Sequence, residues 1–459
     1  MKQLLIRNHR PVFYLTFLAL SLIQARFTEL LDDEAYYWVY SKFPDWGYFD
    51  HPPMTAVLIR IGYFLVNNEL GVRLLFVLLT VSSLYLVEGL LSRKNPFIFY
   101  SIALSLAVLQ LAGFFAVPDT PLIFFTALLF VAYKRFLVRQ NLVTAIALAL
   151  VASALLYSKY HAVLIIVFIV VSNPRLLKDY RIYVAGIVAL IIFLPHLLWQ
   201  YDHNWLSFRY HLFESNVNPY KPSYTFDYIG GQLLLAGPLV GIILLPAAFG
   251  RRTEGPLERG LKFTLAGIYL FFLLSSFRGK VEANWTSPAI VPLIVLSHNF
   301  LAGDTRRAAL GRKWLLRLFP ASMILIVFAR VIMIVDVLPV RAVKQKFHAW
   351  EGWPATMKGI THGLPIVFGN SYQRASKYWF YTGQPGYSLN FYKERRNNYN
   401  FWPVEDSFLG RPAFILDIYY PDSFQHQIGT PLGPVRYKYD SAFSSFAKVQ
   451  LVPDKLSMQ

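Results

Sequence analysis

Cysteine is absent from this chain of 459 residues. Disulfides, thiol nucleophiles and cysteine-held metals are therefore excluded. Charge is scarce too, with Asp, Glu, Lys and Arg at 15%, against roughly 25% in soluble domains. Acids are the rarer sign, 26 against 44 Lys and Arg, for a formal net charge of +18. No P-loop or dinucleotide-type glycine run is present to cradle a nucleotide. Tandem repeats and low-complexity tracts are also lacking. What is abundant is hydrocarbon, 55% hydrophobic residues with a mean hydropathy of +0.41.

The apolar residues come in long blocks, several reaching the ~20 residues that cross ~30 Å of lipid hydrocarbon. Eleven candidate spans lie near residues 11–29, 70–91, 96–116, 120–137, 141–156, 160–173, 181–199, 228–248, 262–277, 285–301 and 315–336. The first block has signal-peptide length, but no small-x-small cleavage site follows it, so it reads as a retained span. The amphipathic stretch Met54–Val66 reads as a juxtamembrane helix, with a short twelfth span as the alternative.

Charge chooses between these. With eleven spans, one side collects Lys2, Arg7 and Arg10, then the clusters at 93–94, 134–139, 175–181, 251–262 and 306–317. The opposite short loops hold only Lys42, Lys159, Arg209, Lys221, Arg278 and Lys280. The first side is therefore cytoplasmic by the positive-inside rule, and basic clusters between apolar blocks do not read as a nucleic-acid surface. The expectation is a multi-pass protein of a bacterial inner membrane with a cytoplasmic N-terminus. Two domains are expected, a transmembrane bundle over residues 1–336 and a periplasmic α/β domain over 337–459. Within the latter, Leu364–Gly369 and Phe414–Tyr420 read as strands and Tyr372–Tyr381 as a helix.

The outward loops carry the chemistry. Residues 30–53 hold five acids (Asp32, Asp33, Glu34, Asp45, Asp50) interleaved with Tyr36, Tyr37, Trp38, Tyr40, Trp46 and Tyr48. Such rings favour the headgroup level, and a carboxylate partly desolvated beside them gains basicity. Asp119, between Pro118 and Pro121, either caps the next helix or joins Asp33 at matching membrane depth. Three further turns bring cations: Ser158-Lys159-Tyr160-His161, Trp205–His211 with Arg209, and Phe277–Trp285 with Arg278 and Lys280. Acids and cations on one face suit glycosyl transfer from a lipid phosphate to a hydroxyl. One carboxylate takes the acceptor's proton, and Lys or Arg steadies the departing phosphate.

At this point the motifs resemble a known family. Asp33-Glu34-Ala35-Tyr36-Tyr37-Trp38, Trp46–Pro53, Pro118–Pro121, Ser158-Lys159-Tyr160, Gly279–Trp285 and Gly369–Gln373 look like the dolichyl-phosphate-mannose protein mannosyltransferase superfamily, which includes the lipid A aminoarabinose transferases. The resemblance implies a mainly α, GT-C type bundle of about eleven transmembrane helices, with juxtamembrane helices and a small C-terminal α/β domain. It implies a catalytic Asp33, a second essential acid Asp119, and Glu34 beside them. Tyr37, Glu282, Asn284 and Trp285 become substrate contacts. The Phe-Asp-His-Pro stretch looks like a Phe-Glu-Lys-Pro stretch of the aminoarabinose transferases, which implies His51 as the phosphate contact and Asp50 as a metal or polar ligand. His211 either completes a site for a divalent metal ion with Asp50 or is a hydrogen-bonded interface residue. Histidine is not a permanent cation, so Lys159, Arg209 or Lys280 can take the phosphate instead.

The implied partners are a polyprenyl-phosphate sugar donor, membrane lipid and an envelope acceptor, whether protein, lipid A or another glycan. Direct displacement with Asp33 as base implies inversion. A polyprenyl-linked sugar flippase and a GT-C glycan polymerase or ligase are the alternatives. Transporters commonly carry inverted repeats and broken mid-membrane helices, which the sequence does not display.

Overall fold

The computed structural model describes residues 8–215, 218–350, 352–369, 371–389, 396–417, 426–430 and 433–440. Helices run through each apolar block. In chain order they are α1 (His9–Phe27), α2 (Asp32–Lys42), α3 (Met54–Leu65), α4 (Glu69–Leu90), α5 (Pro96–Ser105), α6 (Asp119–Val138), α7 (Leu142–Ser158), α8 (Ala162–Ser172) and α9 (Tyr180–Asp202). Then come the short α10 (Leu206–Arg209), α11 (Pro222–Leu235), α12 (Gly241–Gly250), α13 (Gly255–Ser275), α14 (Ile290–Leu301) and α15 (Arg306–Ile334). Among the described residues, α4, α6, α9 and α15 are each long and apolar enough to cross a membrane unaided. The pair α1 and α2 passes the same test together, bent by 86°.

Local sequence sets several of these boundaries. Asn68 caps α4 by accepting from the Leu70 and Gly71 amides. Asn95 followed by Pro96 starts α5, which breaks at Leu106 and resumes as a π-turn over Val108–Ala112. Gly71 lets α3 and α4 close on each other, since a Cβ there would lie 1.6 Å from the Val66 carbonyl oxygen. The acid-rich stretch after the first block, expected as a loop, is the helix α2. Its three acids fall in the first turn, where the helix dipole favours negative charge.

The sharp bend between α1 and α2 is held by one buried ion pair. Arg73 of α4 donates Nε to Glu34 Oε1 (2.7 Å) and Nη2 to Glu34 Oε2 (2.6 Å), and both side chains are fully buried. Its other donors reach the carbonyls of Ala25 (3.0 Å), Thr28 (2.6 Å) and Glu29 (2.8 Å), at the end of α1. All five guanidinium N–H groups are thus used. Glu34 in turn accepts from the Leu31 amide (2.9 Å) and, across 82 residues, from the Ala116 amide (2.8 Å). The rings of Phe114 and Phe115 complete the surroundings of the guanidinium.

Beyond α15 follow α16 (Arg341–Phe347), α17 (Trp353–Thr361) and α18 (Tyr372–Thr382) with a five-stranded mixed sheet. Its strands are β1 (Ile366–Gly369), β2 (Tyr387–Leu389), β3 (Ala413–Asp417), β4 (His426–Thr430) and β5 (Gly433–Asp440), in the order β2-β1-β3-β5-β4. β1 runs parallel to β2 and β3; β5 is antiparallel to β3 and β4. The expected helix and strands are found, although residues 418–420 of the expected second strand lie outside the described residues. This tail shares one apolar cluster with α2 and α3, joining Tyr36, Trp38 and Tyr40 to Trp350, Tyr378, Tyr399 and Trp402. Polar ties cross the same seam: buried Lys377 meets Asp32 (3.1 Å), and Asn398 Oδ1 accepts from the Phe49 amide (2.9 Å).

Removing one partner of a buried pair strands the other charge, at about 3–5 kcal/mol. Arg73→Met and Glu34→Gln are each expected to lower the unfolding free energy of the detergent-solubilised chain by that order. The double variant should lose less than the sum, and fully additive losses in a double-mutant cycle would show that the two side chains are not coupled.

Candidate active site

Asp33 sits in the first turn of α2, exposed, one residue from the buried Glu34. Its carboxylate faces Tyr372 at the start of α18, whose phenol is held above its usual pKa by burial first and by Asp33 second. Tyr372 also packs on Tyr36 with ring centroids 4.5 Å apart. Because Glu34 binds the Ala116 amide, the turn carrying Asp33 and the turn leading to Asp119 are tied together.

Asp119 is the first residue of α6, but its side chain makes no cap bond. It is buried and fully engaged by three side chains from two other segments. Lys159 Nζ (2.8 Å) and Ser287 Oγ (2.7 Å) donate to Oδ1, and Asn284 Nδ2 (2.8 Å) donates to Oδ2. One carboxylate therefore gathers the turns 117–121, 158–161 and 283–289. Lys159 is buried as well. Among the described residues its ammonium spends one of three N–H groups on Asp119, leaving two for a ligand.

The stretch 46–53 is pinned from below and above. His196 Nδ1 meets the Trp46 carbonyl (2.7 Å), and Ser207 Oγ donates to the Tyr48 carbonyl (2.9 Å). Gly47 lies so close to the Trp199 ring that a Cβ would come within 2.4 Å of it. Backbone turns at Asn204 and Trp205, both with φ near +55°, fold α10 back over this stretch. His51 is thereby set between Tyr37 (centroids 5.7 Å) and His211 (6.2 Å). Burial, then Lys159, His211 and His161, push the His51 pKa well below its usual value. His211 is pushed down to about 4 by burial and then by Lys159.

The sequence-derived residues thus separate into groups. Asp119, Lys159 and Asn284 form one bonded set, with the Trp285 ring tilted against His161 (centroids 5.8 Å). Tyr37, His51 and His211 form a second, coupled to it through Lys159. Arg209, half-buried, ends α10 two residues before His211. Lys280 and Glu282 lie outside both, paired with each other (2.9 Å) and more than half exposed. Glu34, grouped with the catalytic acids from sequence, belongs to the scaffold, since both its oxygens are occupied by Arg73 and backbone amides.

The metal assignment does not fit. His211 Nε2 donates to the backbone carbonyl of Asp50 (2.8 Å), so that nitrogen is not free to ligate a metal beside the Asp50 carboxylate. Tyr40 donates to the Asp50 carboxylate (3.2 Å). Among the described residues, no group of three or more His, Asp or Glu side chains converges to hold a metal ion.

Arg73, Ser287, His161, Tyr372 and Asn398 were missed by sequence reasoning. Arg73 had a signal, a lone cation inside an apolar helix, which demands a partner. His161 and Tyr372 stood in quoted motifs. Asn398 carries no signal, because nothing local marks a tail residue as reaching α2.

Comparison with known proteins follows this geometry. The family described as Dolichyl-phosphate-mannose-protein mannosyltransferase matches residues 50–199, the segment holding His51, Asp119, Lys159 and His161. The chain is 26% identical over 293 residues to the lipid A galacturonosyltransferase RgtD of Rhizobium johnstonii, covering 59% of this chain and 60% of that protein. It is 26% identical over 319 residues to the lipopolysaccharide core galacturonosyltransferase RgtA of the same organism, covering 61% and 62%. The chain thus spans less than two thirds of the length of these curated relatives. Crystal structures of ArnT from Cupriavidus metallidurans cover 93% of this chain and 97% of that one. The TM-score is 0.65 for the apo state at 15% identity, and 0.62 at 16% for the form bound to undecaprenyl phosphate. At such identity the likeness is one of fold.

Both depressed histidines titrate lower folded than unfolded, where the pKa is about 6.5. The stability they contribute is full above pH 6.5 and is lost as pH falls toward 4. For His211 alone this amounts to roughly 3 kcal/mol. Melting temperature is expected to hold between pH 7 and 8 and to drop from 6.5 to 4. A His51→Gln, His211→Gln double variant should have a shallower acid limb; an unchanged limb would count against the assignment.

Proposed function

We propose that the chain, similar in fold and in part of its sequence to GT-C glycosyltransferases, transfers a sugar from a polyprenyl-phosphate donor to a hydroxyl of an envelope acceptor. One observation carries the reading: an exposed carboxylate, Asp33, is tied through Glu34 to a turn whose own acid, Asp119, is spent on presenting a buried ammonium. A base in contact with water and a cation out of it are what the two ends of the displacement require. Asp33 takes the proton of the acceptor hydroxyl as its oxygen attacks the anomeric carbon. The bond from that carbon to the phosphate oxygen breaks, and polyprenyl phosphate leaves against Lys159, with inversion. Asp119 is a positioning residue for Lys159, and Glu34 for the turn carrying Asp33. Tyr37, Asn284 and Trp285 line the substrate space, Arg209 borders the phosphate side, and no step is assigned to a metal.

The fold of ArnT, a protein crystallised with undecaprenyl phosphate, supports a polyprenyl carrier. The relatives named for lipid A and for lipopolysaccharide core favour a lipopolysaccharide acceptor over protein. Eleven crossings, a cytoplasmic N-terminus and a periplasmic domain over 337–459 give the arrangement in which the site meets that acceptor outside the inner membrane. The flippase alternative has no observation in its favour, since Asp33 and Asp119 lie at helix starts.

Proton abstraction by a positioned base contributes about 10²–10⁴-fold. Asp33→Asn is expected to lower turnover of the purified chain by that factor, with radiolabelled polyprenyl-phosphate sugar and lipid A as substrates and an unchanged melting temperature. Full transfer by this variant would remove the base. Topology has its own test, because the chain has no cysteine. In whole cells a membrane-impermeant maleimide should label Lys280→Cys and spare Arg252→Cys, both exposed positions; the reverse pattern would invert the arrangement.

A further inference from the structure

Two histidine ring nitrogens lie buried with no hydrogen-bond partner among the described residues, Nδ1 of His51 and Nδ1 of His161. They come from unrelated segments, the turn between α2 and α3 and the turn between α7 and α8. Even so, each ring feels the other's surroundings: His51 is influenced by Lys159, His211 and His161, and His161 by Lys159 and His211. Aromatic walls fix both, Tyr37 beside His51 (5.7 Å), and Phe272 (4.9 Å) and Trp285 (5.8 Å) beside His161. Native proteins rarely leave a buried polar atom unpaired. Two such atoms within the electrostatic reach of one ammonium that itself has N–H groups to spare describe a space waiting for an acceptor.

Resting on the transferase reading above, the geometry points to His161 as a phosphate-binding residue, acting with His51 and Lys159 as a three-donor cradle for the phosphate of the polyprenyl carrier. The arithmetic of oxygens favours it. The sugar-linked phosphodiester has two non-bridging oxygens, whereas the departing polyprenyl phosphate has three. Three donors match the phosphate as it leaves, which places their stabilisation where the displacement needs it. Neutral imidazoles suit the task because each brings an N–H without adding charge to a pocket that already holds Lys159. The aromatic clamp of Phe272 and Trp285 supplies the positioning that a lone surface histidine lacks.

The test uses the full-length chain in detergent and measures dissociation constants for undecaprenyl phosphate and undecaprenol, with inorganic phosphate as competitor. His161→Phe is expected to weaken undecaprenyl phosphate binding roughly tenfold, the loss of one hydrogen bond to a charged group, and to leave undecaprenol unchanged. Inorganic phosphate should compete with the lipid in the wild type and less effectively in this variant; competition equal in both would mean that the free anion binds elsewhere and would remove His161 from its site. His161→Asn sets an amide near the position of Nδ1 and should retain most of the affinity. His161→Gln sets it near Nε2 and should not. If the phenylalanine variant fails to fold, the Asn and Gln pair decides, and equal affinity in the two overturns the assignment. Wild-type affinity in His161→Phe at an unchanged melting temperature overturns it as well. A wild-type chain that binds no undecaprenyl phosphate would instead bring down the transferase reading itself.

Discussion

The pairing of Glu34 with Arg73 is the constraint on which the outward end of the bundle depends. A carboxylate and a guanidinium buried together gain little net stability over an apolar pair. What they supply here is position. Arg73 reaches three carbonyls at the end of α1, so the helix must stop there. Glu34 takes the amides of Leu31 and Ala116, so α2 must begin where it does and the chain before α6 must pass beside it. Removed from water, neither group has another way to satisfy its charge, and the 86° bend follows from that.

A division of labour among the acids grows from the same economy of partners. Asp32 meets Lys377, Glu34 meets Arg73, and Asp119 meets Lys159, Ser287 and Asn284. Each of these carboxylates organises a different pair of segments. Asp33 is exposed and acts electrostatically on Tyr372, and Asp32, although paired with Lys377, is exposed as well. The cations divide in a parallel way, with Lys159 buried and oriented while Lys280 remains in an exposed pair with Glu282. Burial and Lys159 thus hold His51 and His211 in their neutral form beside a built-in cation.

Much of this was legible in the linear chain. The apolar blocks coincide with helices, and Tyr372–Thr382 and Ile366–Gly369 are a helix and a strand as their patterns imply. Asp33, Asp119, Lys159 and Asn284 stood out because polar residues at the ends of apolar blocks are few and have to be explained. The acid-rich segment was misread as a loop because its tyrosines and acids lack an apolar stripe. Its helix is set by the capping bond of Glu34 and by packing against α18, not by periodicity. Asp50 and His211 suggested a metal because residue type was all that could be weighed, while their orientation depends on α10 folding back over 46–53.

By itself the sequence determined the lipid environment of this protein, the number of apolar blocks and the few polar turns between them. These follow from composition and from the cost of placing charge in hydrocarbon, both of which are local properties. Only the tertiary structure decided which acid is structural, which presents a lysine and which faces water. Those roles depend on burial and on partners 39 to 168 residues away, such as Arg73 for Glu34 and Ser287 for Asp119, and no local pattern encodes such a distance.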